Sequence, residues 1–217
     1  MKKWIIPSTL IACTLLYFVE QGLEVNYAWK TAAKWIFFLA MPLLLSRFFN
    51  REKQKKAFHK RGIFLGLLFG GISFASILVA YYLLQDVIDF DSIVQELKKS
   101  GISAENFIFI ALYITVGNSL LEEFFFRGFI FLNLYQAGSR KLAYLYSALL
   151  FATYHISIFQ SWFSWELILL ALFGLFTIGL VFNWLDTKTN TFLNSWVVHI
   201  MADLAIVLIG FHLFGIF

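Results

Sequence analysis

Gly117-Asn118-Ser119-Leu120-Leu121-Glu122-Glu123-Phe124-Phe125-Phe126-Arg127-Gly128 sets two adjacent carboxylates and an arginine inside an apolar run. The run extends from Phe107 to about Tyr135, longer than the ~20 residues that a helix needs to cross a bilayer. Ionisable groups at that depth cost roughly 2.5 kcal/mol or more each, so they turn toward a bundle interior and tend to serve function. On a helix Glu123 and Arg127 stand i, i+4 and can pair. Glu122 is rotated by about 100° from Glu123, toward the face of Asn118, Ser119 and Phe126. One carboxylate can thus be neutralised by the arginine while the other faces a different helix.

The rest of the chain suits the same solvent. Of 217 residues 60% are hydrophobic and 14% charged, whereas a soluble domain carries about a quarter charged residues. The expected fold is all-α, a polytopic transmembrane bundle of about seven to eight helices without a soluble domain. The net charge of +4 is clustered, which reads as membrane topology and not as nucleic-acid binding. Cys13 is the only cysteine, so an intrachain disulfide and a cysteine-built metal site are excluded.

In chain order, Met1-Lys2-Lys3 and the apolar stretch to Phe18 resemble a signal peptide. No small-x-small cleavage site precedes Glu20, so an uncleaved first helix is expected. Trp29 to Leu45 is a second span, with Lys30 and Lys34 placed to snorkel. The loop 47–61 holds Arg47, Arg51, Lys53, Lys55, Lys56, Lys60 and Arg61 against Glu52, with His59 as a solvated loop residue. Its charge predicts a cytoplasmic loop and N-terminus in a multi-pass cell-membrane protein. Ile63 to Leu84 is a third span whose Gly66, Gly70 and Gly71 suit close helix packing. The polar stretch 85–105 includes a short interfacial helix near Ser92–Leu97. Further spans cover Phe107–Tyr135, Leu142–Phe159, Leu167–Leu185 and Phe192 to about Ile209, with Asp186 to Asn190 as a tight polar turn. The tail from Gly210 either completes the last helix or bends back. The chain divides into N-terminal helices, 1–105, and a core, 106–217. Loop signs put Glu122 and His155 at different depths unless a helix is tilted or offset.

Ionisable groups recur at depth in later spans. His155 ends Phe151-Ala152-Thr153-Tyr154-His155, and His199 stands four residues before Asp203. If all turn inward, Glu122, His155, His199 and Asp203 converge on one wet pocket. A carboxylate and two imidazoles are equipment for hydrolysis: a general base, a partner for the water and a donor to an oxyanion. His212 and the phenylalanines, 27 in all, are read as structural.

Glu-Glu-x-x-x-Arg, Phe-x-x-x-His and His-x-x-x-Asp in successive apolar helices resemble the CPBP family. These are the CAAX-protease and bacteriocin-processing (Abi) intramembrane endopeptidases. The similarity covers roughly Phe107 to Ile209. It implies that Glu122 activates water with His155, that Glu123 and Arg127 pair to support the site, and that His199 and Asp203 stabilise the oxyanion. The eukaryotic enzymes have an asparagine where Asp203 stands. Ionised aspartate cannot donate a hydrogen bond, so Asp203 is protonated, orients His199 or serves otherwise. Glu122, His155 and His199 are also the candidate ligands for a zinc ion, although no cofactor is expected. The implied substrate is a membrane-associated peptide or protein, such as a leader-bearing bacteriocin or a signalling pro-peptide, met within the lipid bilayer. The alternatives are a non-enzymatic membrane immunity or peptide-binding protein, and a proton-coupled transporter.

Overall fold

The computed structural model describes residues 2–23, 25–48 and 60–216. Eight helices are formed, and no strand occurs among the described residues. They are α1 (Lys2–Gln21), α2 (Tyr27–Phe48), α3 (Lys60–Leu84), α4 (Phe90–Lys99), α5 (Phe107–Gln136), α6 (Arg140–Phe159), α7 (Trp165–Thr187) and α8 (Leu193–Leu213). All but α4 are long and apolar enough to cross a membrane, and the chain is a multi-pass membrane protein. The basic loop 47–61, with His59, lies largely outside the described residues.

The short α4 falls where an interfacial helix was expected and is longer than the stretch from 92 to 97. Asp89 accepts from the backbone N–H of Ser92 at 3.0 Å and caps it. Asp91 in its first turn and Lys98 and Lys99 in its last complement the helix dipole. At the other end of the chain α8 runs on to Leu213, so the tail completes that helix and does not fold back.

The central element is α5, 30 residues long. From Phe125 to Leu134 it is buried on every face, as expected of a helix that is apolar all round. Phe38 of α2 stacks on Phe125 at 4.2 Å, and Phe126 meets Phe151 and Tyr154 of α6 edge-on or tilted. The Phe124-Phe125-Phe126 run thus packs the core. Two stretches of wide π turns, Tyr113–Asn118 and Glu123–Phe131, bracket Glu122. There a backbone N–H reaches five residues back, Ser119 to Ile114 and Leu132 to Arg127. Each wide turn shifts the side-chain faces, a feature common at functional sites.

Helix α3 lies along α8 through small residues. A Cβ on Gly66 would meet Val197 at 3.0 Å, and one on Gly70 would meet Met201 at 2.8 Å. Gly62 is closer still to Asn194. Gly71 was expected in this seam and is not part of it: one residue on, it is rotated away, with nothing within 4 Å.

Two arrangements bring distant chain positions level. Counted from the α5–α6 turn, Glu122 and His155 each lie roughly four turns along their helices, which removes the mismatch of depth inferred from loop signs. The chain is buried on both sides of the α7–α8 turn, at Leu185 and Asp186 and again from Thr191 to Leu193. Asp186, expected in a polar turn, is instead fully buried. Its two oxygens accept from the N–H of Ser195 at 3.1 Å and the hydroxyl of Ser195 at 2.8 Å. Phe192 packs where a side chain on Gly128 would stand. Helix α8 therefore starts at depth, and His199 needs only about two turns to come level with Glu122.

Candidate active site

Glu122 and Glu123 are buried side by side on α5. They part as the helical rotation requires. Glu123 accepts from Arg127 Nη1 at 3.2 Å and, through the same Oε1, meets His199 Nδ1 at 2.8 Å. The guanidinium is sandwiched by Phe151 at 4.0 Å and Phe182 at 4.8 Å. Gly179 supplies room: a Cβ there would stand 3.4 Å from Arg127 Nη2. Losing one partner of so buried a pair costs about 3–5 kcal/mol. The expected Glu123–Arg127 pair is formed, and it does more than brace α5. With a carboxylate on Nδ1, His199 presents Nε2 to the opposite side.

Glu122 turns the other way. Its Oε1 accepts from Asn118 Nδ2 at 2.9 Å and lies 3.9 Å from Lys34 Nζ. Its Oε2 makes no hydrogen bond among the described residues and faces two imidazoles, His155 Nε2 at 3.7 Å and His199 Nε2 at 4.0 Å.

The tautomer of His155 follows from the backbone. Helix α6 breaks at this residue, whose N–H bonds Ala152 O. The carbonyl of Phe151 is thereby available to the ring, and Nδ1 lies 2.7 Å from it. A carbonyl only accepts, so Nδ1 is the donor and Nε2 of the neutral ring carries a lone pair. Asp203 Oδ1 is 3.7 Å from His199 Nε2, too far for a direct hydrogen bond. All four sequence candidates, Glu122, His155, His199 and Asp203, therefore gather in one place.

Beside them lies a cavity of about 760 Å³. Its walls are apolar and come from α3 (Ile72, Ile77, Ala80), α7 (Leu170, Gly174, Ile178) and α8 (Ala202, Ile206). His155, His199 and Asp203, with the phenol of Tyr81, are the ionisable side chains on its surface. The cavity can hold an apolar segment while presenting a bond within it to acid–base groups.

Among the described residues no group of three His, Cys, Asp or Glu is placed to hold a metal ion.

Sequence reasoning missed Lys34. It was expected to snorkel to the membrane surface. Lys30 stays near the helix start and pairs with Glu20 at 3.0 Å, but Lys34 is buried and donates to Asn118 Oδ1 at 3.1 Å. The available signal was its position: one turn deeper than a lysine already near the interface, it needed an acid partner.

An acid and two imidazoles beside an apolar cavity in a transmembrane bundle are groups that could serve hydrolysis. Residues 104–205 match the family model described as type II CAAX prenyl endopeptidase Rce1-like. The match covers just under half the chain and supports assigning that segment to the CAAX-protease family, a family of peptide hydrolases. All seven motif residues, from Glu122 to Asp203, fall within it. No curated protein and no solved structure matches the chain.

Proposed function

We propose that this protein is an intramembrane endopeptidase that cleaves a membrane-associated peptide by direct attack of water, without an acyl-enzyme. The observation that carries the reading is the pair Glu122 Oε2 and His155 Nε2, 3.7 Å apart. Both atoms accept, and a group that satisfies both must bring two protons. Water does so.

Glu122 takes one proton as the water oxygen bonds to the carbonyl carbon, while His155 orients the water through its other proton. The carbonyl π pair moves to oxygen and forms an oxyanion. His199, protonated on both nitrogens, gives Nδ1–H to Glu123 and Nε2–H to that oxyanion. Asp203 in its protonated form is the second donor, in the position where the eukaryotic enzymes carry asparagine. The proton on Glu122 passes to the amide nitrogen as the carbon–nitrogen bond breaks. Oxyanion donors of this kind are each worth about 10²–10³ in rate.

The working residues lie in 106–217, and the N-terminal helices support them. The positive loop 47–61 argues for a cytoplasmic N-terminus in the cell membrane. A leader-bearing bacteriocin or a signalling pro-peptide suits the apolar cavity as substrate.

The reading is tested with purified protein and a library of membrane-anchored peptides in water enriched in ¹⁸O. Discrete internal cleavage is expected, with one ¹⁸O in each new carboxyl terminus, no covalent adduct, and full activity after exhaustive chelation. An adduct on the protein, activity that needs added zinc, or no cleavage at all would contradict it.

A further inference from the structure

We propose that Lys34, on a helix outside the matched segment, is a positioning residue for Glu122. It locks the Asn118 amide and supplies the fixed positive charge that balances the reactive carboxylate.

Three observations carry this. The first is direction. Lys34 sits in the bundle with its ammonium aimed inward, donating to Asn118 Oδ1 at 3.1 Å. An ammonium only donates, so it fixes which end of the amide is oxygen. Asn118 must then turn Nδ2 toward Glu122 Oε1, where it donates at 2.9 Å. With Oε1 held, Oε2 is the oxygen left to face the imidazoles. The second is charge. Arg127 is committed to Glu123 at 3.2 Å. Among the described residues, Lys34 is the one lysine or arginine within 4 Å of Glu122, at 3.9 Å. The other cation of the proposed mechanism, His199, lies 4.0 Å away but is shared with Glu123 and Asp203, and a buried carboxylate without a cation of its own is costly. The third is support. The ammonium lies 5.7 Å from the Tyr154 ring centroid, and Tyr154 precedes His155 in the chain. Lys34 thus contacts the Glu122 side of the proposed water site and the residue before His155, and it does not line the cavity. The catalytic effect rests on the hydrolase reading, but the coupling between Lys34 and Glu122 does not. If correct, the working part of the chain reaches beyond 106–217 into α2.

The test is made on the full chain in detergent or proteoliposomes, with two readouts. In cleavage, Lys34→Met should lower kcat by about 10- to 100-fold with KM within about twofold, because Glu122 is misplaced and the cavity is untouched. Lys34→Arg should recover most of that loss, and Asn118→Ala should reproduce part of it. In thermal unfolding, Lys34→Met should lower Tm by about 4 °C or more in the parent. In the Glu122→Gln background the same change should cost nothing or raise Tm, because the carboxylate it balances is gone. A Lys34→Met variant with parental kcat would overturn the proposal. So would an equal fall in Tm in both backgrounds. If the parent cleaves no peptide, the hydrolase reading fails, and the unfolding cycle still decides whether Lys34 and Glu122 are coupled.

Discussion

Asp203 is where this chain departs from the eukaryotic pattern, and its side chain separates two roles. Donation to an oxyanion needs a proton, which asparagine supplies permanently. Charge pairing with His199 would need the ionised acid. At 3.7 Å His199 Nε2 is within ion-pair reach of Asp203 but not hydrogen-bonded to it, and the proposed donor role is the one that asparagine would preserve. Asp203→Asn should therefore keep at least about a third of parental kcat, while Asp203→Leu should lose 10²-fold or more. Equal losses in steady-state cleavage would assign Asp203 to holding His199 by charge. At this scale the sequence was informative where chemistry is rare. Acids and imidazoles in apolar runs stand out, so Glu122, His155, His199 and Asp203 could be picked from spacing and burial alone. It was silent on pairings between helices. Nothing in the spacing of Glu123 and His199 says that they meet, and Lys34 reads the same whether it snorkels or turns inward.

Between elements, the glycine seam of α3 and α8 places the cavity against the chemistry. Helix α8 carries His199 and Asp203, and α3 supplies the facing wall. Gly70→Leu forces a side chain into Met201, and overpacking of this kind costs about 1–3 kcal/mol. The expected result is a Tm lower by roughly 2–10 °C and loss of cleavage. Gly71→Leu, with nothing within 4 Å, should change neither by more than about 1 °C or twofold. Parallel unfolding and cleavage measurements on the two variants check this. The spans were legible from length and hydropathy. The wide turns around Glu122 and the burial of Asp186 at the end of α7 were not. Both arise from tertiary packing: Asp186 looks like a polar turn residue until Ser195 is folded onto it.

At the scale of the whole molecule, α5 is a buried axis on which two carboxylates are sent opposite ways. One is tied to Arg127 and His199, the other offered to His155 beside an apolar cavity. The order of the three motifs made this arrangement readable in advance, because each occupied its own span. The contribution of α2 was not readable, because Lys34 belongs to no motif. The most direct test of the account is the single-turnover rate of Glu122→Gln on a peptide that the parent cleaves, with folding checked by an unfolding transition within a few degrees of the parental one. The account predicts a loss of about 10³-fold or more, matched within tenfold by His155→Ala. Cleavage by Glu122→Gln at more than a tenth of the parental rate would contradict it.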